Sequence, residues 1–235
     1  MDLTTLLACT IAMIRFRSLL ILVGGGLLFL CSVNSSFAAS KILVLGDSLS
    51  AAYQISPEEG WVHLLEEKLK ACQAPYEVIN LSRSGDTTRE GLQKLPKALK
   101  DEQPNLVIVE LGGNDGLRGL PILSVQSNLK KIIEIIQKDK AQILLLGMRL
   151  PPNYGQGYTD QFHAIYVKLA KDKDLAFFPF MLDNIALNEE LMQKDGIHPK
   201  AEAQPQLLEE IWAYLAPLLK ELPAGCCTLP PCSKR

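Results

Sequence analysis

The run Lys41-Ile42-Leu43-Val44-Leu45-Gly46-Asp47-Ser48-Leu49-Ser50 sets the architecture of this chain. Its apolar part is too short for an amphipathic helix and has the length of a buried strand. Gly46 closes the strand, and Asp47 and Ser48 stand at its tip. Similar apolar segments recur downstream: Tyr76 to Leu81, Leu106 to Val109, Gln142 to Leu146 and Leu175 to Phe178. Residues at helical spacing lie between them. Trp61, Leu64, Leu65, Leu69 and Cys72 predict a helix over Pro57 to Cys72, with Pro57 at its start. Leu92, Leu95 and Leu99 predict one over Thr88 to Leu99, with Pro96 inside it. Ile122 to Ile136 reads as a long helix. Phe162 to Ala170 and Leu207 to Leu218 read as two more. Alternation of buried strands with amphipathic helices predicts a parallel sheet covered on both faces. Right-handed crossovers then align every strand C-terminus along one edge, where α/β folds place their ligands.

The polar residues that punctuate the chain fall on that edge. Ser48 follows the first strand, and Gly85, in Ser84-Gly85-Asp86-Thr87, follows the second. Asn114, in Gly112-Gly113-Asn114-Asp115, follows the third. Asp195-Gly196-Ile197-His198-Pro199 follows the fifth. A serine at a strand tip, with an Asp and a His arriving from far downstream, is the equipment of nucleophilic acyl transfer.

These four blocks, taken in order, resemble the SGNH (GDSL-type) hydrolase superfamily. The resemblance covers most of residues 41–219 and is similar in detail to its bacterial thioesterase and lysophospholipase members. It is carried by Val109-Glu110-Leu111-Gly112-Gly113-Asn114-Asp115-Gly116-Leu117-Arg118-Gly119 and Arg149-Leu150-Pro151-Pro152-Asn153-Tyr154-Gly155. Asp195 to Pro199 and Ala203-Gln204-Pro205 add to it. It implies a three-layer α/β/α flavodoxin-like fold with five parallel strands in the order 2-1-3-4-5. It also implies hydrolysis of fatty-acyl esters and thioesters without a cofactor or metal. The loop around Gly116 to Leu120 resembles one that shifts when acyl chains bind.

On this reading Ser48 is the nucleophile. A helix N-cap is its alternative role, and capping suits the neighbouring Ser50 better. His198 is the general base. The chain has 3 histidines, and His63 and His163 lie off the apolar stripes of helices, where a solvated surface is expected. Asp195 orients the imidazole, although an Asp before Gly196 also suits a turn. The N–H groups of Ser48 and Gly85 and the side-chain amide of Asn114 would form the oxyanion hole. Gly85 and Asn114 can equally be read as turn residues. Asp47 is expected to tie down the serine loop and Asp115 to bond to backbone. Leu117, Leu120, Pro152 and Tyr154 are candidates for the acyl-binding surface, or for plain packing.

The ends of the chain read differently. Arg15 and Arg17, the apolar run from Leu19 to Cys31 and the small residues of Ser36-Phe37-Ala38 have the grammar of a secretory signal over 1–38, which Met13 would start. A retained membrane span is the alternative. The hydrolase domain is expected over 39–220, followed by a weakly ordered tail over 221–235. That tail holds Cys226, Cys227 and Cys232, among which a disulfide is open in an oxidising compartment. A formal net charge of −2 with no long basic run carries no sign of a nucleic-acid footprint, and no nucleic-acid partner is expected. The expected partner is a small lipid-like acyl ester or thioester, met by a periplasmic or secreted monomer. A carbohydrate O-acetylesterase is a second enzymatic reading. The non-enzyme reading is a non-catalytic nucleotide-binding or signalling module on a flavodoxin-like fold; it lacks a recognisable phosphate loop, since no strand leads into Gly24-Gly25-Gly26, and it gives Asp195 and His198 no role.

Overall fold

The computed structural model describes residues 39–220, 222, 223, 225 and 226. The proposed signal, Cys227 and Cys232 lie outside them. Strands β1 (Ser40–Gly46), β2 (Tyr76–Asn80), β3 (Leu106–Glu110), β4 (Gln142–Leu146) and β5 (Ala176–Phe178) form a five-stranded parallel sheet with β3 at its centre. The order is β2-β1-β3-β4-β5, as the resemblance implies. β1 pairs with β2 through Val44 and Asn80 and with β3 through Leu45 and Val109. Ile42 to Leu45 and Leu106 to Val109 are buried. Each of these two strands contributes four apolar side chains, divided between the two faces of the sheet.

Helices α1 (Trp61–Ala71), α2 (Thr88–Glu102), α3 (Gly113–Leu117), α4 (Ile122–Lys138), α5 (Gln156–Lys173) and α6 (Gln204–Leu215) complete the layers. α1 packs on α6, while α2 packs on α4 and α4 on α5. The long helices bury the stripes that their spacing predicts, for example Val125, Leu129, Ile132, Ile133 and Ile136 of α4. α2 opens on a capping box in which Thr87 receives the Arg89 N–H and Glu90 reaches back to Thr87. Pro96 is accommodated within it, at the loss of the bond that the Leu92 carbonyl would otherwise receive. The helix expected from Pro57 onward is divided. Pro57–Glu59 forms one 3-10 turn, Gly60 is extended, and α1 starts at Trp61. A tertiary contact sets that start, since the Trp61 N–H donates to the buried Gln204 Oε1 at 3.0 Å.

The described part of the tail is tied to the domain, with Leu222 packed against the core. Cys226 is buried and forms a disulfide with Cys72, at the C-terminal end of α1. Cys226 therefore joins the tail to the domain, a pairing that the sequence reading did not anticipate. Among the described residues, no helix is long and apolar enough to cross a membrane.

Candidate active site

The strand order reverses between β1 and β3, so the segments leaving β1, β2 and β3 meet over one crevice. β1 delivers Ser48 to it, half-buried in a series of turns. The first turn of α3, just after β3, delivers Asn114, and the loop after β2 delivers Gly85. His198 comes from the long connection between β5 and α6, which is folded back on itself. Met192 and Pro199 form an antiparallel bridge. The Gln193 N–H donates to the His198 carbonyl at 2.8 Å, and the Lys200 N–H to Leu191 at 2.8 Å.

His198 Nε2 lies 2.8 Å from Ser48 Oγ, and its Nδ1 lies 2.7 Å from Asp195 Oδ2. An ionised carboxylate only accepts, so Nδ1 carries the proton. Nε2 is left with a lone pair facing the serine hydroxyl. The second Asp195 oxygen accepts the N–H groups of Ile197 at 2.9 Å and His198 at 3.1 Å. Asp195 is thus both the turn residue and the imidazole's partner. Partial burial pushes its carboxyl up, but the bonds from His198 and the two N–H groups together hold it below the usual aspartate range.

The far side of Ser48 is lined with donors. The Asn114 side-chain amide donates to Asp47 Oδ2 at 3.1 Å and to the Asp86 carbonyl at 3.0 Å. It therefore sits beside the residue before Ser48 and the residue after Gly85. The backbone N–H groups of Ser48 and Gly85 have no acceptor among the described residues. Gly85 has φ +86°, a conformation that L side chains rarely adopt. Arg118 donates to the Gly85 carbonyl at 2.9 Å, which keeps that carbonyl engaged away from the donors. Asp115 ties the two donor segments together, accepting the Thr88 N–H at 2.8 Å and the Thr88 hydroxyl at 2.6 Å.

Beneath the serine turn, β1 and β3 come into close contact. Asp47 Oδ1 accepts the Leu49 N–H at 3.1 Å. The Asp47 N–H and the Ser50 hydroxyl both donate to Glu110 Oε2, at 3.1 and 2.7 Å. Gly46 is required here, because a Cβ would fall 2.7 Å from both Glu110 Oε2 and Ser82 Oγ.

A cleft of about 330 Å³ lies between the β4 and β5 connections and reaches Leu49 and Ile197, the chain neighbours of Ser48 and His198. Leu49, Leu117, Met148, Leu150, Pro152 and Ile197 are among the side chains lining it. Its walls are mainly apolar, as small-molecule sites are.

A model of the GDSL-like lipase/acylhydrolase family matches residues 44–204, which span every segment of this crevice. The chain belongs to that family. Its relatives include an arylesterase of Vibrio mimicus, 46% identical over 84% of this chain and 95% of the relative. Thioesterase 1/protease 1/lysophospholipase L1 of Escherichia coli is 44% identical over 77% of this chain and 86% of that protein. Among solved structures, the psychrotrophic esterase EstA from Pseudoalteromonas sp., inhibited by monoethylphosphonate, superposes with a TM-score of 0.74. It is 38% identical, covering 77% of this chain and all of that one.

Against this family frame, several residues take places that the sequence did not foretell. Ser50 caps no helix; it is buried, and its hydroxyl is taken by Glu110. His163 is half-buried on α5, its Nδ1 3.2 Å from the Met148 carbonyl, rather than fully solvated. His63 remains on the surface of α1, 4.0 Å from Glu66. Leu117 and Pro152 line the cleft, whereas Leu120 and Tyr154 do not. The Tyr154 hydroxyl instead donates to the Leu117 carbonyl at 3.0 Å, and Tyr158 holds the Leu120 carbonyl at 3.2 Å. Both tyrosines brace the α3–α4 loop from outside. Gln193 was not anticipated at all. Its amide donates to the Tyr53 carbonyl at 2.9 Å and the Pro199 carbonyl at 3.1 Å, joining the serine loop to the histidine loop. The Tyr53 ring lies 4.3 Å from the imidazole. No local pattern marks either residue.

Proposed function

We propose that this protein hydrolyses fatty-acyl esters and thioesters, with Ser48 as nucleophile, His198 as general base and Asp195 as its orienting partner. The observation that carries the reading is the unbroken chain Ser48–His198–Asp195, with contacts of 2.8 and 2.7 Å. Ser48 attacks the acyl carbonyl while His198 takes its proton. The ready N–H groups of Ser48 and Gly85 receive the developing oxyanion. Asn114 joins them by releasing one of its two present acceptors. His198 then protonates the leaving alcohol or thiol, and water repeats the sequence on the acyl-enzyme.

The acyl chain occupies the apolar cleft. Each methylene it buries contributes about 0.8 kcal/mol, or roughly fourfold in kcat/KM. A series of p-nitrophenyl and acyl-CoA substrates is expected to rise by that factor per methylene and level off when the cleft is full. Preference for acetylated sugars would replace this reading with the O-acetylesterase. Asn114→Ala is expected to lower kcat by about 100-fold with KM little changed, because the amide acts on the oxyanion rather than on bound substrate. Equal loss in KM would assign Asn114 to substrate binding.

Residues 1–38 are proposed to direct the protein to the periplasm or outside the cell. The Cys72–Cys226 disulfide supports this, since such bonds persist in oxidising compartments.

A further inference from the structure

Glu110 is a carboxyl group at the end of an otherwise apolar, fully buried strand. It does not touch Ser48, and the mechanism above gives it no step. Its Oε2 accepts two hydrogen bonds, from the Asp47 N–H and the Ser50 hydroxyl. Its Oε1 is buried and meets no N–H or O–H donor. The Asp47 carboxyl faces it. Other titratable groups acting on the pair include His198, across the serine turn, and the buried Tyr166 phenol of α5, which also faces Asp115 of α3. Among the described residues, no lysine or arginine forms an ion pair with either carboxyl.

Two carboxylates cannot both ionise in such a place, for each would be unpaired and buried and each would repel the other. A proton between them removes both costs and turns Oε1 from an acceptor without a donor into a donor toward Asp47. We propose that Asp47 and Glu110 share one proton beneath Ser48, with Glu110 the neutral acid and Asp47 the carboxylate, and that this pair positions the nucleophile turn and the Asn114 amide. The assignment follows from the neighbours. Asp47 already accepts the Leu49 N–H and the Asn114 amide, which favour its charge. Glu110 is the more buried group, and burial followed by the Asp47 charge pushes its carboxyl well above the usual range. Burial also lifts Asp47, to about 6, against the bonds from Leu49, Glu110 and Asn114 that hold it down. Above that pH the pair keeps one proton. Below it Asp47 is also protonated, and Asn114 and the serine turn lose their charged acceptor.

Glu110 is then a positioning residue whose useful form is uncharged, a role that rests on Ser48 being the nucleophile. Glutamine reproduces that form, accepting through Oε1 and donating to Asp47 through Nε2. Glu110→Ala is expected to lower kcat by at least tenfold with KM nearly unchanged, and Glu110→Gln to restore it to within about threefold of wild type. The stability of the two proteins should also diverge with pH. A raised carboxyl pKa means that folded wild type holds a proton which the unfolded chain releases above the ordinary glutamate range. Its stability therefore falls as pH rises from that range toward the raised value. Glu110→Gln lacks this decline, so its Tm relative to wild type should climb between pH 5 and 8.5.

Wild-type protein with 13C-labelled glutamate carboxyls gives a readout that needs no variant to fold. One carboxyl resonance should remain in the protonated position at pH 7.5. Titration of every glutamate in the ordinary range would overturn the proposal. So would a loss in Glu110→Gln as large as in Glu110→Ala, or a Tm difference that is flat with pH. Failure of the nucleophile reading is distinguishable. Wild type would then take no fluorophosphonate label at Ser48, whatever the carboxyl resonances show.

Discussion

Ser48→Ala and His198→Ala are each expected to lower kcat by about 10⁴-fold or more on any acyl ester, with the fold retained. Removing Oγ removes the atom that forms the acyl-enzyme. Removing the imidazole leaves a hydroxyl that hardly ionises near neutral pH and has no proton acceptor at 2.8 Å. The double variant should be little worse than either single one, because the two groups act as a unit. Both side chains are half-buried at the crevice, outside the sheet interior, so Tm should stay within a few degrees of wild type. A fluorophosphonate probe gives the matching binary result, labelling wild type at Ser48 and leaving Ser48→Ala unlabelled. Turnover that survives in either variant would assign the nucleophile or the base elsewhere.

Breaking the Cys72–Cys226 disulfide has the second large effect. The bond closes a loop of 154 residues, and a loop of that length restricts the unfolded chain by up to about 5 kcal/mol in the chain-entropy treatment. Cys226→Ser, or reduction with a thiol, is expected to lower stability by roughly 2–5 kcal/mol and Tm by roughly 5–20 °C. The bond lies at the end of α1 next to the start of β2, at the edge of the sheet opposite Ser48. Activity at 25 °C should therefore be retained while heat resistance falls. A Tm unmoved by reduction would show that the tail contributes nothing to the folded domain.

Much of this architecture can be read along the chain because its signals are local. Ile42 to Leu45 and Leu106 to Val109 are continuous apolar runs, and α4 repeats its isoleucines at helical spacing. The edge that gathers Ser48, Gly85, Asn114 and His198 follows from strand alternation and crossover handedness alone. Signals failed where a neighbour distant in sequence chose the conformation. Gln204 sets where α1 begins, and Glu110 captures the Ser50 hydroxyl that had suited a cap. The cleft draws Met148, Leu150 and Ile197 from loops with no periodicity, so spacing could not select them over Leu120 and Tyr154. One clue to Glu110 was present in the sequence: a carboxylic acid ending a fully apolar strand.

The order of residues by itself determined the parallel sheet, its buried strands and the edge where the polar blocks meet, because hydrophobic period and strand polarity are properties of short segments. Only the tertiary structure decided which hydroxyl faces His198, how Gln193 joins two loops, where Cys226 pairs and why Glu110 lies beside Asp47. Those outcomes depend on distances of about 3 Å between groups far apart along the chain, and such distances exist only once the segments have packed.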